Sequence, residues 1–220
     1  TEVSGFGLSA HVGLNLLDGA LPTSLSALPR LVYIDLFDNA FTGNIPDSYG
    51  HMPQLEVLYL NHNHLTGPID TLCGDLLLEQ LYLEDNRFSG TVPSCLGDAT
   101  GMENLYINYN HLFGSLPATL SQLQQLIYFE ANNNMLSGSL PTEFGMLTNL
   151  TFLYLYDNKL SGPLPATFSQ LTSLKFLFIE NNQFSGPLTQ VFNATTQQRL
   201  HSIQLSGNAF TGPIPEQPFL

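Results

Sequence analysis

The chain has 220 residues, with 18 acidic side chains against 5 basic ones and a net charge of −13 at pH 7. Apolar residues make up 43% and charged residues only 10%, a balance that excludes a disordered chain. Five cations cannot neutralise many phosphates, so neither nucleic acid nor an anionic membrane surface is expected as a partner.

Taken in chain order, Thr1–Ser9 matches no later segment in full and reads as the remnant of an N-terminal cap or incoming strand. From there an internal period takes over. Asn recurs at Asn15, Asn39, Asn63, Asn86, Asn110, Asn134, Asn158, Asn182 and Asn208, mostly 24 residues apart, with one interval of 23 and a last one of 26. Four residues after each comes a Gly, from Gly19 and Gly43 to Gly212. Pro follows three residues later, except where Asp70 and Thr189 replace it. A unit this short cannot bury its own apolar face, so stability must come from stacking on its neighbours.

The unit starting at Leu147, LTNLTFLYLYDNKLSGPLP, shows what each copy builds. The Leu153-x-Leu155 pair has the two-residue period of a short strand with one buried face. Asn158 stands where the chain must turn, and a buried amide there satisfies backbone groups that the turn leaves unpaired. Gly162 and Pro165 then permit and stiffen the return segment. Stacked copies place the nine Asn side chains in one ladder. Equivalent residues of successive strands are expected roughly 4.8 Å apart.

These residues resemble the leucine-rich repeat in its plant-type variety. The pattern LxxLxLxxNxLxGxIP is seen as LVYIDLFDNAFTGNIP from Leu31 and LEVLYLNHNHLTGPI from Leu55. The resemblance covers nearly the whole chain and extends to receptor-like kinase ectodomains, polygalacturonase inhibitors and surface proteins of plants, algae and protists. It implies one domain over residues 1–220: an α/β solenoid, a right-handed superhelix with a parallel β-sheet on its concave face and about nine repeats. The paired-Cys caps common in that family are absent, and Pro215–Leu220 follows a Gly-x-Ile-Pro step where a further unit would begin. Open ends would expose apolar core and favour end-to-end association.

Cys73 and Cys95 occupy neighbouring repeats, offset by one residue in the return segment. That offset puts their Cα atoms within disulfide range, about 5–6 Å; the alternative is two small apolar fillers. Asn149-Leu150-Thr151 and Asn193-Ala194-Thr195 are N-glycosylation sequons. With the repeat class and a bridge, they point to an oxidising, extracellular setting, secreted or at the cell surface. No run of about 18 apolar residues is available to insert into a membrane.

Strand alternation then predicts what faces outward. Three columns result. The middle one runs His11, Asp35, Tyr59, Tyr82, Tyr106, Glu130, Tyr154, Phe178 and Gln204. Beside it lie Tyr33, Val57, Gln80, Asn104, Tyr128, Phe152, Phe176 and Ser202 on one side, and Phe37, Asn61, Glu84, Asn108, Asn132, Tyr156, Glu180 and Ser206 on the other. Eight of the nine tyrosines fall in or beside the strands. Stacked rings stabilise neighbouring strands, which accounts for some of this enrichment. A surface of Tyr and Phe rimmed by carboxylates is also a binding face, suited to a protein, a peptide or a sugar ring. The candidate ligand-binding set is therefore Tyr33, Asp35, Tyr59, Tyr82, Glu84, Tyr106, Tyr128, Glu130, Phe152, Tyr154, Tyr156, Phe176, Phe178 and Glu180.

Glu56, Glu79 and Glu103 share one repeat position. Like charges at ladder spacing repel, so they either splay into solvent or are compensated by a basic partner or a bound cation such as Ca2+. Asp38, His62 and Asp85 make another short column, without the geometry of a known metal set, and no metal site is assigned. No nucleophile elbow, phosphate loop, zinc motif or dinucleotide fingerprint is present, and no catalytic residue or cofactor is expected. The expectation is an extracellular recognition module that binds through an aromatic and acidic concave face. A structural component of surface, matrix or fibre, assembling through repeat contacts, is the alternative. Ice binding is a minor one, because it wants a uniform array of Thr or Asn that none of the three columns offers.

Overall fold

The Leu-x-Leu step of each unit forms a short strand whose alternate side chains enter the core. A computed structural model describes residues 7–74 and 77–214. Thr1–Phe6, most of the segment read as a cap remnant, and Pro215–Leu220 lie outside the described residues. Among the described residues, nine strands pair in parallel, in chain order: Leu8–His11, Leu31–Asp35, Val57–Tyr59, Gln80–Tyr82, Asn104–Tyr106, Tyr128–Glu130, Phe152–Tyr154, Phe176–Phe178 and Ser202–Gln204. In this first sheet Leu58, Leu81, Leu105, Phe129, Leu153 and Leu177 sit directly above one another and are wholly buried. The leucines that precede each strand, such as Leu126, Leu150 and Leu174, close the same core.

The ladder Asn residues end the strands through up to four hydrogen bonds each. Asn110 is typical: its Nδ2 donates to the carbonyls of Leu83, Ile107 and Asn108 at 2.9, 3.3 and 3.1 Å, while its Oδ1 accepts from the Phe88 N–H at 2.9 Å. From Asn39 onward each amide thereby ties its own turn to the unit before it. The residue ahead of the ladder Asn adopts left-handed backbone at Leu14, Asp38, His62, Asp85, Tyr109, Asn133, Asp157 and Asn181, with φ between 51 and 57°. Asp, Asn and His tolerate that region better than other side chains, which explains the polar bias of this column.

The return segment is more regular than the sequence alone suggests. Just after each ladder Asn, and on the very next residue from Asn39 onward, the chain forms a second strand, and among the described residues nine of these, from Asp18–Ala20 to Ala209–Thr211, build a second parallel sheet. Phe41, Leu65, Phe88, Leu112, Leu136, Leu160 and Phe184 turn inward from it and fill the core. Facing outward is a Ser/Thr set at Thr42, Thr66, Ser89, Ser137, Ser161, Ser185 and Thr211, interrupted by Phe113. The second sheet thus carries an outward hydroxyl set that the three columns of the first sheet lack, broken at Phe113. Pairings such as Thr42 with His64 offset these hydroxyls by two residues from unit to unit.

Pro46, Pro93, Pro117, Pro141 and Pro165 then start short 3-10 helices, Asp47–His51, Ser94–Asp98, Ala118–Gln122, Thr142–Met146 and Ala166–Gln170. A proline suits this place because its φ is preset and it has no donor to lose. Few residues separate each Pro from the next inward Leu, so the helical part of the solenoid is a single tight turn. Successive turns approach closely. A Cβ on Gly145 would lie 2.4 Å from the Thr167 carbonyl oxygen, and only glycine fits there. In the longest interval, Val191–Leu200, the helix is replaced by turns. Gln197 is 2% exposed there, donating to the Phe168 carbonyl and accepting from the Asn193 N–H, both at 2.8 Å. Tyr49, the tyrosine outside the strands, is buried in the core and donates to the Pro22 carbonyl at 3.1 Å. Among the described residues no helix is long and apolar enough to cross a membrane.

Candidate functional site

On the outward face of the first sheet, strand pairing sets the aromatic residues side by side. Tyr59, Tyr82 and Tyr106 are direct neighbours in register, as are Tyr128, Phe152 and Phe176, and Tyr154 with Phe178. Their rings touch in one unbroken chain. From His11 it passes to Tyr33, Tyr59, Tyr82, Tyr106, Tyr128, Phe152 and Phe176, with centroids 4.3–6.2 Å apart, and ends on His201. Tyr82 and Tyr106 stack at 4.4 Å, Tyr128 and Phe152 at 4.3 Å, and Tyr154 and Phe178 at 4.7 Å. Such contacts stabilise the sheet while leaving one surface of rings open to solvent. Burial among neighbours pushes the Tyr33 and Tyr82 hydroxyls up to about 12 and raises Tyr59, Tyr106 and Tyr154 as well, so these hydroxyls remain neutral donors.

The carboxylates fall among the rings. Asp35 pairs with Tyr59 in register, and its Oδ2 lies 3.5 Å from the His11 Nδ1. Glu130 sits between Tyr106 and Tyr154. Burial pushes Glu130 up to about 7, and burial also pushes Glu84 up to about 7 against the opposing effects of its own backbone amide and of His62. Glu84, Asn108, Asn132, Tyr156 and Glu180 follow one another along the edge of the face, each joined to the next through the backbone one residue on. Burial and a hydrogen bond with Tyr109 raise the Tyr156 hydroxyl.

Sequence reasoning expected this third column to be an open rim, but much of it is recessed. Asn132 is 1% exposed and Asn108 6%. The buried oxygens Glu84 Oε2, Asn108 Oδ1, Asn132 Oδ1 and Glu180 Oε2 have no hydrogen-bond partner. The repeat period already sets these residues in one column; only the stacked structure shows that they are covered and unpaired.

The remaining polar groups lie off this face. Glu56, Glu79 and Glu103 are backbone neighbours, and Glu79 is raised by burial and by the other two carboxylates. The His62 Nδ1 lies 2.9 Å from Asp85 Oδ2 beside the turn. Among the described residues no group of three His, Cys, Asp or Glu side chains is placed to hold a metal ion. Cys73 and Cys95 are bridged, with Cα atoms 5.4 Å apart. Asn149 is exposed, its Nδ2 donating to the Gln124 carbonyl at 2.8 Å, and the exposed Asn193 accepts from the Thr195 N–H at 2.9 Å.

Comparison with known proteins agrees with this architecture. The Leucine Rich Repeat family model matches residues 30–52, 54–76, 77–99 and 149–171. No match is found among curated proteins. Among solved structures, the chain is similar to the plant peptide hormone receptor RGFR1 in complex with RGF2: 30% identity and a TM-score of 0.90 over 94% of this chain and 33% of that one. It is similar to the Arabidopsis receptor kinase HAESA, solved with the peptide hormone IDA and the co-receptor SERK1, at 32% identity and a TM-score of 0.85 over 91% of this chain and 33% of that one. A plant ice-binding protein is also similar, at 27% identity and a TM-score of 0.79 over 94% of this chain and 66% of that one. The chain thus spans about a third of the length of the two receptors it matches. With matched repeats, an Asn ladder along the turns and two parallel sheets stacked in chain order, the chain is a leucine-rich-repeat solenoid, consistent with the plant-type class.

Proposed function

We propose that this chain is an extracellular recognition module that takes an extended ligand, a peptide or a glycan, across the aromatic face of its first sheet. The unbroken chain of rings from His11 to His201 carries this reading. Rigid rings offer large contact area at little entropic cost, and their hydroxyls stay neutral, that of Tyr59 donating to Gln80. The solved relatives RGFR1 and HAESA, each in complex with a peptide hormone, support a peptide in that role. The Cys73–Cys95 bridge supports an oxidising compartment. Binding rather than catalysis is what a row of stacked rings does.

The test replaces Tyr82, Tyr106 and Tyr154 by Ala in the bridged chain and measures retention of extracellular peptide and oligosaccharide fractions. Ligands held by the native chain are expected to be lost from the folded variant. Undiminished retention would remove the aromatic face as the site.

A second reading rests on the Ser/Thr set of the second sheet and on the similar ice-binding protein. Its measure is ice recrystallisation in the presence of the native chain and of a Thr66→Tyr/Ser137→Tyr variant. Inhibition that the two bulky rings abolish would support it. No inhibition by the native chain would end it.

A further inference from the structure

Resting on the recognition reading, we propose that Glu84, Glu130, Asn108 and Asn132 form a recessed site for the ammonium or guanidinium group of a Lys or Arg side chain presented by an extended peptide. The first observation is the row of oxygens already described. Glu84 Oε2, Asn108 Oδ1 and Asn132 Oδ1 are buried on three successive units and accept no hydrogen bond, so three acceptors stand beside one unpaired donor, the Asn132 Nδ2. Buried polar atoms are normally paired, and a row of unpaired acceptors asks for a donor. Ammonium and guanidinium carry three and five donors and no acceptor.

The second observation is the charge. Glu130 follows the inward Phe129 and precedes the inward Ala131, so the alternation of its strand sets it on the same face as Asn132. The Glu130 carboxylate adds to the burial that raises Glu84, and a cation bound beside the row would favour both carboxylates. The chain places its own cations elsewhere. Arg87 and Lys159 open strands of the second sheet, Arg30 borders Glu56, and Lys175 and Arg199 flank Phe176.

The third observation is the rim. Tyr106 neighbours Glu130 in register and stacks on Tyr82. A Lys or Arg side chain has a thin apolar stem and a charged head, so it can pass the rings, interact with their faces and deliver its donors to the oxygens behind them. The row from Glu84 to Glu180 crosses four inter-strand steps, roughly 19 Å, which an extended peptide covers with about six residues.

The experiment uses the full bridged chain and two end-blocked dodecapeptide pools of equal aromatic content, one with a central Lys or Arg and one with Gln there. The native chain should retain the cationic pool at least about tenfold better, the scale of losing hydrogen bonds to a charged group. Glu84→Gln/Glu130→Gln should erase that preference, and Asn132→Asp should increase it. If the double Gln variant fails to fold by circular dichroism, the Asn132→Asp gain decides. Equal retention of both pools by the native chain would overturn the cation site and leave the recognition face standing. Retention of neither pool would overturn both. Tight binding of calcium chloride by the chain alone, abolished by Glu84→Gln, would assign the row to a metal ion and overturn the proposal.

Discussion

Asn110 shows what a single ladder side chain carries. Replacing it by Ala leaves the Phe88 N–H without its acceptor in the interior, while the carbonyls of Leu83, Ile107 and Asn108 each lose one of two donors. Asn110→Ala is therefore expected to destabilise the chain by about 3 kcal/mol, read as a lower urea midpoint. The buried carboxylates make a second residue-scale prediction. Glu84 and Glu130 are raised from 4.5 to about 7 by burial, so the folded chain binds more protons than the unfolded chain between those values. Their contribution favours the fold below pH 4.5 and is lost as the pH rises through about 7. The urea midpoint should accordingly fall between pH 5 and pH 8, and Glu84→Gln/Glu130→Gln should flatten that dependence. A steeper fall in the variant would reject the assignment.

Between neighbouring elements, the disulfide and the ring stack act in different ways. Cys73 and Cys95 are separated by 22 residues, and closing a loop of that size stabilises by about 3 kcal/mol, mainly by restricting the unfolded chain. Reduction, or Cys73→Ser/Cys95→Ser, should lower the urea midpoint accordingly while circular dichroism of the folded state stays unchanged. The rings act in the folded state. Tyr106 contacts Tyr82 on one side and Tyr128 on the other, so Tyr106→Ala should cost about 1–2 kcal/mol in addition to any loss of binding. A variant that loses ligand without losing stability would separate recognition from packing.

Across the whole molecule, successive units also meet in the layer of 3-10 turns. The 3-10 turns approach one another through glycines: a Cβ on Gly97 would lie 2.3 Å from the Thr119 carbonyl oxygen and one on Gly145 2.4 Å from that of Thr167. Gly97→Ala/Gly145→Ala should force these turns apart. Small-angle scattering should then report a changed curvature, with a stability loss of about 1–3 kcal/mol per site. Unaltered scattering and stability would show that the layer is not in close contact. Because each unit touches only its neighbours, such damage should stay local.

The sequence by itself determined the repeat, the stacking, the inward Leu positions and the residues that share each outward column. These depend on a period of about 24 residues and on strand alternation, both readable from one unit. The second sheet was not readable, because its strands are short, begin at the ladder Asn and contain a Gly that reads as a turn. The polar row was not readable either. Asn108 and Asn132 look like ordinary outward amides in the chain. Only the packing of adjacent units decides that they are covered and unpaired, because burial belongs to the stack and not to any one repeat.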